Sequence, residues 1–235
     1  MTTNGSKIEA ALDGLPAFVR EKSGSVFYTG REALTGSRPL YILGLNPGGN
    51  PDLQSSNTVE RHIAEHRQRP APWSAYSDDP WEGAKPGTWG MQPVVLHMLS
   101  ALGLDPQLTP ASNVVFARTR SEKALRDEKS ALLQACWPVH QAVIDELGVR
   151  VIVCFGVTAG RWVREKLNAK ERFDSYTETN NRRWKSDAHR TKDGLVVVKV
   201  SHPGRADWRN PNADPTPLIK RALDAAERTQ SVENV

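Results

Sequence analysis

The chain has 235 residues, 38% of them apolar, and a formal net charge of +4. That is enough chain for one sizeable α/β domain with a full core, and no apolar run approaches the roughly 18 residues of a membrane span. A mean hydropathy of −0.52 and a pI near 9.1 describe a soluble, mildly basic protein, compatible with a polyanionic partner without demonstrating one.

Met1 to Ala11 lacks the basic-then-apolar order of a signal peptide. Cys136 and Cys154 have no C-x-x-C spacing. They predict reduced thiols in a cytoplasmic protein, with no thiolate zinc site and no iron–sulfur cluster.

In chain order, residues 7–22 have helical spacing in Ile8, Leu12, Leu15, Phe18 and Val19, with Pro16 positioned to divide the helix. Leu40 to Leu43 is a short apolar run that stops at glycines and prolines, which reads as a buried strand delivering a bent loop. Residues 50–90 read as a long loop holding a polar helix at 58–69 and Trp73, Tyr76, Trp81 and Trp89. A loop this long inside a compact domain is usually functional. Pro93 to Leu104 predicts a buried helix ending near Gly103, and Asn113 to Ala117 a second strand.

A long amphipathic helix follows over 128–147, stopped by Gly148, then a doubly buried strand over 149–155 and a helix over 156–167. Residues 173–192 are polar and basic. The fourth strand is 195–200, and a helix over 216–228 precedes a frayed polar tail. Four short apolar strands alternating with helices predict an α/β fold, a three-layer αβα sandwich on a four-stranded, mainly parallel sheet. A single domain is expected, with its core over residues 39–225.

Ligands of open α/β sheets bind at the C-terminal ends of the strands. Asn46 follows the first strand, Asn113 opens the second and His202 follows the fourth, so one pocket is expected to collect all three. Gly44 and Gly48 are read as permitting backbone angles that side chains forbid, with Pro47 rigidifying the turn that carries Asn46.

Gly44-Leu45-Asn46-Pro47-Gly48 resembles the first motif of the uracil-DNA glycosylase superfamily, nearest to its single-strand-selective and mismatch-specific branches, where it reads Gly-x-Asn-Pro-Gly. Ser201-His202-Pro203-Gly204-Arg205 resembles the second motif, with Gly204 where serine is common, and the strand from Asn113 to Arg118 looks like the one bearing the pyrimidine-reading asparagine. Order and spacing agree across residues 39–225.

The resemblance implies a monofunctional DNA glycosylase without cofactor or metal, acting as a monomer on single- or double-stranded DNA. Asn46 would orient the attacking water, His202 would stabilise the departing base through O2, and Asn113 would read the N3/O4 edge. Leu45, Pro47 and Gly48 would shape the base pocket with Gly44, and Trp89 would be the stacking platform, where the family usually has phenylalanine. Arg205 or Trp208 would be the wedge that fills the gap left by the flipped base, and Arg182, Arg183 and Lys185 a second DNA contact. The alternative is a catalytically silent member of the fold that binds nucleic acid or a nucleobase.

Other patterns point elsewhere and carry less. His62-Ile-Ala-Glu65-His66 matches H-x-x-E-H, but its flanks are charged on nearly every side, unlike a buried metalloprotease helix. Gly156 to Gly160 lacks the G-x-G-x-x-G arrangement of a dinucleotide site. Arg182-Arg183-Trp184-Lys185 interleaves cations with an aromatic as single-strand binders do, and a solvated charged hairpin explains it as well.

Overall fold

The computed structural model describes residues 6–69 and 72–233. The chain runs α1 (Lys7–Asp13), α2 (Ala17–Arg20), β1 (Leu40–Gly44), α3 (Val59–Gln68), α4 (Gln92–Ala101), β2 (Ala111–Asn113) and α5 (Lys129–Leu147). It continues with β3 (Val151–Phe155), α6 (Val157–Lys166), β4 (Glu171–Thr177), β5 (Lys185–Arg190), β6 (Val196–Val200) and α7 (Thr216–Glu233). Pro16 divides the first helical stretch as expected: it caps α2, where its missing N–H costs nothing. Gly148 ends α5 at φ 62°, a left-handed angle suited to glycine.

The fold is mixed α/β, on a sheet of order β2-β1-β3-β6-β5-β4. The first four of these strands are parallel and are the expected ones. The sheet nevertheless has six strands, not four. β5 joins β6 antiparallel and β4 joins β5, so residues 171–190 form a hairpin extending one edge. The polar sequence hid these strands because an edge hairpin needs only its backbone ladder and a few apolar contacts. Ala188 is buried, Phe173 and Tyr176 pack on the core, and the rest of β4 faces solvent.

Helices cover both faces of the sheet. Tyr41, Leu43, Ile152, Cys154 and Val197 turn toward α1, α5 and α6, whereas Ile42, Val151, Val153, Phe155 and Val198 turn toward α4 and α7. The two central strands β1 and β3 carry no charged residue and are buried at every position because both of their faces are covered.

β2 differs from expectation in its limits. It covers only 111–113, so Asn113 closes the strand and pairs with Gly44, the last residue of β1. Residues 114 and 115 still donate to the carbonyls of Gly44 and Leu45, both at 2.9 Å, before the backbone leaves the ladder. The outer edge of β2 is covered by residues 23–29, which bridge to Ala117, Ser112 and Ser74. Gly24 is required there, because a Cβ would lie 2.0 Å from the Phe116 carbonyl oxygen. Helix α7 runs to Glu233, past the predicted limit; the remainder of the predicted tail lies outside the described residues.

Candidate functional site

A cleft of about 630 Å³ opens where the parallel strands end, and Asn46, Asn113 and His202 all line it. Gly44, Phe155 and the tail of β6 set their positions: Asn46 lies two residues past β1, Asn113 ends β2, and His202 lies two residues past β6. Parallel strands in register bring these ends together although the residues are far apart in sequence.

The Asn46 side chain is oriented by acceptors. Its Nδ2 donates to the Pro47 carbonyl at 2.9 Å, to Thr119 Oγ1 at 2.8 Å and, more weakly, to the Ala117 carbonyl at 3.4 Å. The Thr119 hydroxyl gives its own proton to the Ser121 carbonyl at 2.9 Å, so Oγ1 faces Asn46 as an acceptor. Only the amide nitrogen satisfies that surround, which leaves Oδ1 as the atom Asn46 offers to the cleft.

Asn113 is buried and donates through Nδ2 to the Tyr28 hydroxyl at 2.9 Å. Its Oδ1 lies over the Gly44 backbone, where a Cβ would come within 2.1 Å. Gly44 therefore serves a close approach, and neither it nor Gly48 occupies the positive-φ region expected from the sequence. That angle belongs to Gly49, at φ 116°, where the Arg118 and Gln54 side chains crowd the turn. The Arg118 guanidinium also donates to the Gly48 carbonyl and clamps the turn behind Asn46.

His202 Nδ1 accepts the Gly204 N–H at 3.0 Å, so the ring carries its proton on Nε2. Burial, assisted by the Arg205 charge, holds its pKa below the ordinary histidine value and keeps the imidazole neutral. The ring is thus oriented by the backbone of Gly204, the position where the resembled motif commonly has serine. A Cβ at Gly204 would sit 3.2 Å from that Nδ1, which a glycine avoids.

Trp89 is 50% exposed and lines the cleft. Gln92 steadies it by accepting the Trp89 N–H at 3.1 Å while donating to the Ala75 and Asp79 carbonyls, each at 2.8 Å. Sequence reasoning missed the other aromatic wall, in which Tyr28 and Tyr76 stack with centroids 6.0 Å apart and Trp81 meets both rings edgewise or tilted. The cluster of aromatics in residues 73–89 was the available signal; nothing marked Tyr28, which arrives on the strap over β2.

His62 is a second missed member of the cleft. Its Nδ1 accepts the Val26 N–H at 3.3 Å, and burial lowers its pKa to about 3. The other ring of the H-x-x-E-H pattern, His66, is buried with Nε2 on the Thr29 carbonyl at 3.1 Å, and Glu65 pairs with Arg61 at 2.7 Å. Among the described residues no three His, Cys, Asp or Glu side chains gather to hold a metal. Both cysteines are buried free thiols.

Beside the cleft lies a groove of about 530 Å³ that shares Asn46, Phe155 and His202 with it and adds Leu45, Trp184, Lys185 and Arg205. Arg205 is exposed at this mouth. Trp208 is not there. It is fully buried, packs edge-on against Phe155 at 5.5 Å and donates through Nε1 to Ser201 Oγ at 3.2 Å. The loop after His202 folds back beneath the sheet end, so this indole joins the core and a wedge role for Trp208 is overturned.

Arg183 and Lys185 are exposed on the hairpin, whereas Arg182 is engaged internally with Glu178 and the Arg205 carbonyl. No family model matches the chain, and no curated protein matches it. The functional reading therefore rests on the three motifs and on what their residues can do in this cleft. No helix among the described residues is long and apolar enough to cross a membrane.

Proposed function

We propose that the chain is a monofunctional DNA glycosylase of the uracil-DNA glycosylase superfamily, hydrolysing the N-glycosidic bond of uracil or a related deaminated base in DNA. The observation that carries this reading is the pairing, in the lining of one cleft, of a carboxamide whose Nδ2 is already engaged, leaving Oδ1 free to accept, and an imidazole whose Nδ1 is tied to the Gly204 N–H, leaving Nε2–H free to donate. Glycosidic cleavage passes through an oxocarbenium-like sugar and a departing anionic base. Asn46 Oδ1 orients water toward C1′. As the C1′–N1 bond breaks, its electron pair leaves with the base, and His202 Nε2–H donates to O2 where the charge gathers.

Water forms the new C1′–O bond and releases its proton to solvent or to the departing base. Asn46 cannot ionise, so it positions the water without acting as a full base. Asn113 supplies the selective contact at the far edge of the base, and the aromatic wall with Trp89 supplies the stacking surface.

The test is single-turnover excision from a uracil-containing oligonucleotide. Asn46→Ala and His202→Ala should each lower the rate about 100-fold, the usual scale for one such group, with DNA affinity little changed. Wild-type protein that binds DNA but excises no deaminated base would favour the silent binding module instead. Unchanged excision in Asn46→Ala would remove the residue from the mechanism.

A further inference from the structure

The wedge expected of Trp208 leaves a question about which aromatic meets the DNA, and the groove beside the cleft answers it. Trp184 lines that groove, 39% exposed, at the end of the connection between the two strands of the hairpin, immediately before β5. We infer that Trp184 is a nucleic-acid contact: its indole stacks on a base of the single strand flanking the nucleotide held in the cleft. This rests on the glycosylase reading for the identity of the nucleotide, while the contact itself is tested without it.

Three features support a built platform over a stray surface side chain. The ring is held in place, because the Arg182 guanidinium lies 4.4 Å from its centroid. That guanidinium is itself pinned, 3.1 Å from the buried Glu178 carboxylate and donating at 2.8 Å to the Arg205 carbonyl. The bond to Arg205 ties the hairpin to the loop that carries His202, so the indole and the candidate catalytic imidazole are registered to one another across the same groove. A ring ordered before binding loses little further freedom when a base stacks on it.

Charge decides the kind of partner. Lys185 and Arg205 line the groove with exposed side chains, and Arg183 is exposed next to Trp184. The one carboxylate on the groove wall among the described residues, Glu122, accepts from Lys129 at 3.0 Å and from Thr158 at 2.7 Å. An aromatic among cations, on a groove leading into a base-sized cleft, matches the way single strands are held: cations along the backbone and rings beneath the bases.

The experiment measures binding of the full chain to a labelled oligo(dT) that contains no damaged base, by fluorescence anisotropy at low salt. Trp184→Ala should weaken binding about tenfold, within the range seen for one stacked base, and Trp184→Phe should restore most of it. Phe18→Ala, which removes an exposed ring on α2 outside the groove, should bind as the wild type does. Equal affinity of Trp184→Ala and wild type, an equal loss in Phe18→Ala, or no measurable binding by the wild type would each overturn the inference. Because the probe carries no lesion, excision can fail while the Trp184 contact stands, and the contact can fail while excision stands.

Discussion

Every residue of β1 and β3 is buried, whereas no residue of β4 is, although all three belong to one sheet. The parallel strands are held by side chains packed on both faces and position the three motif residues at their ends. The antiparallel hairpin is held by its backbone ladder and by a few anchors, so its side chains remain available to solvent and to partners. One half of the sheet thus builds the candidate chemistry and the other half extends the surface around it. The two tryptophans divide in the same way: Trp208, expected outside, is core, and Trp184 stands at the mouth.

The sharpest way to break this contrast is to truncate both indoles. Trp208→Ala should cost about 3–5 kcal/mol, as removal of a large buried ring does, while Trp184→Ala should stay within about 0.5 kcal/mol. Urea unfolding of the two variants measures both, and similar costs would refute the division between core and platform.

Acid should weaken the fold through its buried histidines. His66 and His140 are buried with pKa values lowered to about 4, and that of His62 is lowered to about 3, in each case chiefly by burial. The unfolded chain takes up a proton on each near pH 6.5, which the folded chain refuses until a lower pH. The stabilisation is therefore complete above pH 6.5 and is lost as pH falls toward the folded values, by about 2 kcal/mol per histidine on reaching about pH 5. Unfolding free energies that stay flat from pH 7 to pH 5 would contradict this. His202, also shifted down, should keep excision active below the ordinary histidine range.

A smaller effect is expected from the support behind the site. Thr119→Val removes the acceptor that selects the orientation of Asn46, and about a tenfold loss in single-turnover excision should follow, equivalent to roughly one hydrogen bond. Thr119→Ser keeps the hydroxyl and should retain the rate, whereas a purely steric role would spare the valine variant.

The smallest change should come from Lys185→Gln. It should leave stability within about 0.5 kcal/mol and reduce the salt slope of single-strand binding by about 0.7. An unchanged slope would place Lys185 away from the phosphates.

Most of the parallel half was legible because its elements announce themselves locally; β2, whose Ala-Ser-Asn carries no apolar run, was placed two residues late. Leu40 to Leu43 and Val151 to Phe155 are continuous apolar runs, Gly148 marks the end of α5, and the residues after β1 and β6 stand where a parallel sheet must converge. The hairpin was not legible as strands, because its stability comes from pairing with β6, β4 buries no residue, and the two that β5 buries, Ser186 and Ala188, are small and make no apolar run.

The sequence by itself determined the order of the parallel strands' motif residues and the chemistry each can supply. Only the tertiary structure decided which atoms face the cleft: Thr119 turns the Asn46 amide, the Gly204 N–H selects the His202 tautomer, and Tyr28 reaches Asn113 from 85 residues earlier in the chain. It also decided which tryptophan is buried, since the path of the loop after β6 carries Trp208 inward. The physical reason is range. Helix and strand periodicity is set by neighbours within a few residues, whereas the direction of an amide, the protonated nitrogen of a ring and the burial of a loop side chain depend on partners that only the folded chain brings near.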